Sequence, residues 1–188
     1  MPFSLILPKQ TKTSVMSKFR MLLVALLLLY TAGYGQVRHE TMKFNWPDGY
    51  HWKMLSNQNT ATAQMIEVVP GNESATGWSI LGTSMIYKNA RNSNLTTVAQ
   101  MVYRQTLKNA PLAQLHIFER NDTQHYIIFK IEAPKYNNSP VPESQLYYFV
   151  QGQSALFSNF VAIKQAKLSL AFVNKWIPIL KTGHLVYN

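Results

Sequence analysis

From residue 42 onward, apolar and polar positions alternate along several stretches of the chain, the period-two signature of strands with one face buried. "MKFNW" (42–46) sets Met42, Phe44 and Trp46 on one face, and Pro47-Asp48-Gly49 follows as a turn in which proline fixes φ. Residues 50–57 and 63–71 predict two more strands, separated by the polar tract "NQNTATA" and closed by Pro70-Gly71. "WSILGTSMIYK" (78–88) predicts another, and Gly82 inside it predicts a bulge.

The period then lengthens. Leu95, Val98, Ala99, Val102 and Thr106 recur at helical spacing, Ser93 or Asn94 can cap, and Pro111 follows, which predicts a helix over about 94–109. Two strands come next, 113–120 and 124–133, joined by "NDT". In the second, His125, Ile127, Phe129 and Ile131 share one face, and Tyr126, Ile128, Lys130 and Glu132 share the other, with one face read as the drier. "PKYNNSPVPE" (134–143) carries three prolines and two asparagines and reads as a surface loop. After a hairpin at 144–165, residues 168–181 place Leu168, Ala171, Phe172, Lys175 and Trp176 at helical spacing until Pro178 ends or kinks the helix. Strands, a helix, four strands and a helix, without an internal repeat, predict one α+β domain at 36–188. Its expected core is an antiparallel sheet of about six to seven strands flanked by two helices.

The hairpin "SQLYYFVQGQSALFSNFVAIKQ" (144–165) fixes its own faces. Gly152-Gln153 has the glycine-first form of a two-residue turn, which pairs Gln151 with Ser154 and sets Tyr148 opposite Phe157. Leu146, Tyr148, Val150, Phe157, Asn159, Val161 and Ile163 then make a nearly apolar face expected under the helices. Gln145, Tyr147, Phe149, Gln151, Leu156, Ser158, Phe160 and Lys164 make a mixed face. Its aromatics are either covered by the N-terminal segment or the 134–143 loop, or left open as a contact surface. Asn159 on the dry face reads as a satisfied buried amide.

The first 35 residues follow another logic. Lys18 and Arg20 precede the apolar run "MLLVALLLLY" (21–30), and the small residues Gly33 and Gly35 follow it, which is the layout of a secretory signal cleaved before Gln36. The run is about ten residues, against the roughly 20 that a spanning helix needs, and an uncleaved N-terminal anchor is the other reading. Met16 opens a conventional signal by itself and is the expected true start. Lys9, Lys12, Lys18 and Arg20 are the only charges removed with the signal, so the net charge falls from +10 to +6. The remaining basic residues are scattered singly, which argues against a nucleic-acid footprint. The chain has no cysteine, which excludes disulfides, thiolate metal sites, a cysteine nucleophile and a lipidated cysteine.

Catalytic patterns are sparse. His39, His51, His116, His125 and His184 are widely spaced and form no metal-binding motif, although His116 and His125 could meet across the hairpin that holds them. Glu119 and Glu132 do not make a glycosidase pair. In "GWSILG" (77–82) the second glycine stands three residues after Ser79 rather than two, and no helix follows at once, so this is no nucleophile elbow.

With "WSILGTSMIY", a helix, "LYYFVQGQSALFSNFVAIK" and a last helix holding Trp176, the chain resembles small exported bacterial proteins of PsbP-like layout, over most of 42–181. That resemblance implies a sheet flanked by helices; it brings no catalytic motif, no cofactor and no photosynthetic role. The expected function is an exported, non-catalytic binding or assembly protein of the bacterial cell envelope, periplasmic or secreted. Its partner, a protein or envelope ligand, is expected to contact Tyr136, Tyr147, Phe149 and Phe160; no cofactor, metal or catalytic residue is expected. The alternative is an envelope hydrolase whose site gathers Asp48, His51 and His125, a reading that requires these three to converge.

Overall fold

The computed structural model describes residues 40–92 and 94–187. The expected signal sequence, Met16, His39 and the cap candidate Ser93 lie outside the described residues. The strands are β1 (Glu40–Lys43), β2 (Lys53–Asn59), β3 (Ala63–Val69), β4 (Ile80–Lys88), β5 (Gln114–Asn121), β6 (Tyr126–Ala133), β7 (Glu143–Gln151), β8 (Ala155–Ile163) and β9 (His184–Tyr187). Helix α1 (Leu95–Leu107) follows β4 and α2 (Leu170–Leu180) follows β8. Seven strands form one antiparallel sheet in the order β2-β3-β4-β8-β7-β6-β5, and β1 pairs with β9 in a separate two-stranded ribbon. The α+β architecture read from the sequence is the one observed.

The two helices lie on opposite faces of this sheet. On the dry face of β7 and β8, Leu146, Tyr148, Val150 and Val161 pack with Val173, Trp176 and Leu180 of α2. Met42, Phe44, Trp46, Tyr50 and Trp52 extend this layer, so the Met42-Phe44-Trp46 alternation does share a face although the strand itself stops at Lys43. The mixed face of β6 and β7 packs Phe129, Tyr147 and Phe149 against Leu95, Val98 and Ala99 of α1. Strand β6 is covered on both faces, with Ile127, Phe129 and Ile131 as fully buried as Ile128; the face of Ile127 is the drier, since the other carries half-buried Lys130. A central strand between two helical layers has no solvent face to keep polar.

Local chemistry explains the ends of the elements. Asn94 caps α1 through its side-chain oxygen, which accepts from the Thr96 N–H at 3.0 Å. Ser169 caps α2 by accepting from the Phe172 N–H at 3.1 Å. Pro178 does not end α2, which runs on to Leu180. The inward stripe of α2 is Val173, Trp176 and Leu180, whereas Ala171 and Lys175 are exposed, because the large Trp176 indole sets which side is buried.

Two turn expectations are corrected. The hairpin register is shifted by two residues, so that Tyr148 faces Asn159 and Val150 faces Phe157. A glycine-first turn needs positive φ at its glycine, and no described glycine has one. Instead the Gly152 N–H donates to the Ala155 carbonyl at 2.9 Å, and Gln153 and Ser154 form the tip. A shift of two preserves faces, so each side chain still points to its expected side. Gly82 makes no bulge, since the pairing of β4 with β3 and β8 is continuous through it. It makes a seat: a Cβ there would stand 2.6 Å from Cη2 of Trp46 and 2.8 Å from Val68.

Candidate functional site at the proline loop

Strand β6 ends in Ala133, and the loop that follows doubles back at Tyr136 and Ser139, whose backbones exchange hydrogen bonds of 3.3 and 3.4 Å. The Asn137 N–H donates to the Asn109 carbonyl at 2.7 Å and its amide to the Lys108 carbonyl at 3.3 Å, which ties the loop to the end of α1. Three prolines limit the loop further. Between this loop and the adjoining edge of the mixed face opens a pocket of about 500 Å3, lined by Tyr136, Val141, Pro142, Glu143, Gln145 and Lys164 among others.

A polar chain runs from the core to this pocket. The Tyr147 hydroxyl donates to the side-chain oxygen of Gln145, and the Gln145 amide donates to Glu143 Oε1 at 2.6 Å. Burial pushes the Glu143 carboxyl above its ordinary value, while the Gln145 hydrogen bond and the Lys164 charge pull the other way. Burial, and then the charge of Glu143, push Tyr136 up to about 12. Burial likewise holds Tyr147 well above the ordinary phenol value. Both phenols thus stay protonated at neutral pH, and that of Tyr147 acts as the donor to Gln145. Lys164 is positioned by its bond to the Thr76 carbonyl at 2.8 Å and stands 4.4 Å above the Trp78 ring.

The four residues expected to contact a partner separate into two pairs. Tyr147 and Phe149 are buried; Tyr147 stacks on Phe129 at 4.8 Å and Phe149 on the same ring at 5.7 Å, beneath α1. Tyr136 and Phe160 are half-buried, with Phe160 4.7 Å from Tyr147. The cover of the mixed face is therefore α1, over β5 and β6, together with Tyr136 of the 134–143 loop. The polar members of the pocket, Glu143, Gln145 and Lys164, were not singled out as functional. The signal for two of them existed, since Gln145 and Lys164 fall on the mixed face by alternation alone.

Asp48, His51 and His125 do not converge. His51 closes the 3-10 turn Asp48–Tyr50 ahead of β2 with a left-handed φ of 47°, close to Gly71 beyond β3. His125 stands in the β5–β6 turn at the other end of the sheet, beside Arg91, Gln151 and Tyr187 in a separate depression. His116 lies opposite Lys130, edge-on to Phe118, and does not meet His125. Glu119 receives hydrogen bonds from Tyr126 and Lys181, and Glu132 from Lys130 and the Leu168 N–H, so both carboxylates hold the fold. Ser79 donates both its N–H and its hydroxyl to the Glu73 carboxylate. Among the described residues no group of three or more His, Asp or Glu could hold a metal ion. Among them, too, no helix is long and apolar enough to cross a membrane.

The chain matches no protein-family model and no curated protein.

Proposed function

We propose that this chain is an exported, non-catalytic binding or assembly protein of the bacterial cell envelope, PsbP-like in layout, which holds its partner at the proline loop. The observation that carries the reading is the pocket itself: a half-open recess where a fixed loop presents a protonated tyrosine, and where a half-buried carboxyl and a positioned ammonium share the lining. Such a mixture of an aromatic anchor with a few placed polar groups suits recognition. The hydrogen bonds of Tyr147, Gln145 and Glu143 hold those groups before any partner arrives, which lowers the ordering cost of binding. Export rests on the charge, apolar and small-residue succession of residues 1–35. The hydrolase alternative loses support, because Asp48 and His51 stand at one end of the sheet and His125 at the other.

The test uses the full chain in its bacterial host. A photo-crosslinking residue at exposed Val141 should give a discrete adduct in the envelope fraction, and the same probe at exposed Thr97 on α1 should not. Tyr136→Ser should remove the adduct in a chain that still folds and is still exported. Mass spectrometry of that fraction should find Gln36 as the first residue. Retention of the chain in the cytoplasm, or an adduct indifferent to Tyr136→Ser, would sink the reading.

A further inference from the structure

The opposite face of the sheet carries a second recess that the loop pocket does not touch. Residues 41–46 pass over β3, β4 and β8, and a cleft of about 370 Å3 remains beneath them. Met42, Phe44 and Trp46 supply one wall, and Ile66, Val68 and Ile86 supply much of the other. None of its lining residues carries a charge. The seat at Gly82 holds the Trp46 indole against the sheet and so keeps this wall in place.

Asn159 reaches the cleft from within the core, only 2% exposed. Its side-chain oxygen accepts from the Ser84 hydroxyl at 2.6 Å. Its nitrogen has two hydrogens to give, and among the described residues its acceptor is the Met42 thioether at 3.6 Å. A thioether is a weak acceptor, so a buried amide donor here lacks a good partner. Buried polar groups ordinarily have a good partner, and a buried amide donor left on a weak sulfur acceptor, at a recess lined by apolar and uncharged polar side chains, points to an acceptor brought by a ligand.

We propose that this cleft binds a small neutral amphipathic molecule, a slender apolar chain bearing an ester or amide carbonyl, whose oxygen accepts from the Asn159 amide in place of the Met42 sulfur. The volume lies within the roughly 300 to 1,000 Å3 of small-molecule sites. Neutrality follows from the lining, since a charge brought into it would be desolvated with no counter-charge nearby. A carbonyl fits because it is an acceptor with two lone pairs and no hydrogen of its own. The unbranched Met42 side chain can change rotamer and let the carbonyl in.

Methyl octanoate is a suitable probe, titrated by calorimetry into the exported chain, with the Asn159 side-chain amide followed by 15N NMR. Saturable binding with a shift of that amide resonance is expected, and sodium octanoate, the same chain with a charged head, should bind at least about tenfold more weakly. Ile66→Trp fills the cleft from a half-buried position and should abolish binding without unfolding the protein; Ile66→Phe serves the same purpose should the larger ring prove disruptive. No saturable binding of methyl octanoate, equal affinity for octanoate, or unchanged binding in a folded Ile66 variant would each overturn the proposal. Crosslinking at Val141 probes the other face of the sheet, so either reading can fail without the other.

Discussion

Glu40 and Ser154 stand 114 residues apart, and the Glu40 carboxylate accepts from both the backbone N–H and the hydroxyl of Ser154, at 2.7 and 2.8 Å. The same carboxylate accepts from the Gln153 N–H. The first residue of β1 thereby caps the tip of the β7–β8 hairpin. Gly152 is what lets it come so close: a Cβ there would lie 2.7 Å from the carboxylate and 2.9 Å from the Phe157 ring.

Removing this cap is the first prediction. Burial opposes the Glu40 charge, but the bonds from Ser154 and Gln153 together outweigh it, and the carboxyl sits below its ordinary value. A depressed carboxyl stabilises the fold above its unfolded pKa, and that contribution is lost as pH falls through the folded one. Glu40→Ala should cost about 1 to 3 kcal/mol in urea unfolding at neutral pH, from hydrogen bonds to a charged group. The gap to the parent chain should close in acid. A pH-independent difference would show that the charge plays no part.

Glu143 should behave in the opposite sense. Its carboxyl is raised by burial, so the folded state binds the proton more tightly than the unfolded chain does. The folded state therefore loses stability as pH rises from the unfolded to the folded value, and the loss persists above it. Glu143→Gln keeps an acceptor for the Gln145 amide and should raise the melting temperature at neutral pH. The gain should vanish once the solution is acidic enough to protonate the parent. Destabilisation at neutral pH would mean that the charge pairing with Lys164 outweighs burial.

Gly82→Ala should be destabilising although Ala is the better strand residue, because its methyl group would enter the space of the Trp46 indole. Overpacking of this kind costs about 1 to 3 kcal/mol. Tryptophan emission should shift to the red as the indole is lifted from its seat. The double variant with Trp46→Ala should lose less than the sum of the two single changes; strict additivity would separate the two sites.

Phe157→Ala removes a fully buried ring that faces Val150 and should cost about 3 to 5 kcal/mol. The shift in register does not alter this value, since Phe157 stays on the dry face in either pairing. A loss below about 1 kcal/mol would mean that the dry face is wrongly assigned.

Periodicity determined a good deal of this protein by itself. The alternation of the 144–165 hairpin assigned each of its side chains to the right face, and the spacing of Leu95, Val98 and Ala99 identified α1, with Asn94 as one of two cap candidates. Both are properties of a residue and its near neighbours, because the strand and helix repeats fix where a side chain points. The same alternation put Gln145, Phe160 and Lys164 on the face that borders the site, and the proline-rich loop supplied Tyr136. It could not tell that α1 would cover Tyr147 and Phe149 and leave Phe160 half-open, nor that Glu143 would be drawn into the pocket. It missed β9 altogether, a four-residue strand that exists because β1 pairs with it. The hairpin tip is held by Glu40, more than a hundred residues away, and the role of Gly82 is set by the Trp46 ring that rests on it. A local pattern specifies direction, whereas pairing, cover and close approach depend on which distant group arrives at each surface, and only the assembled fold sets that.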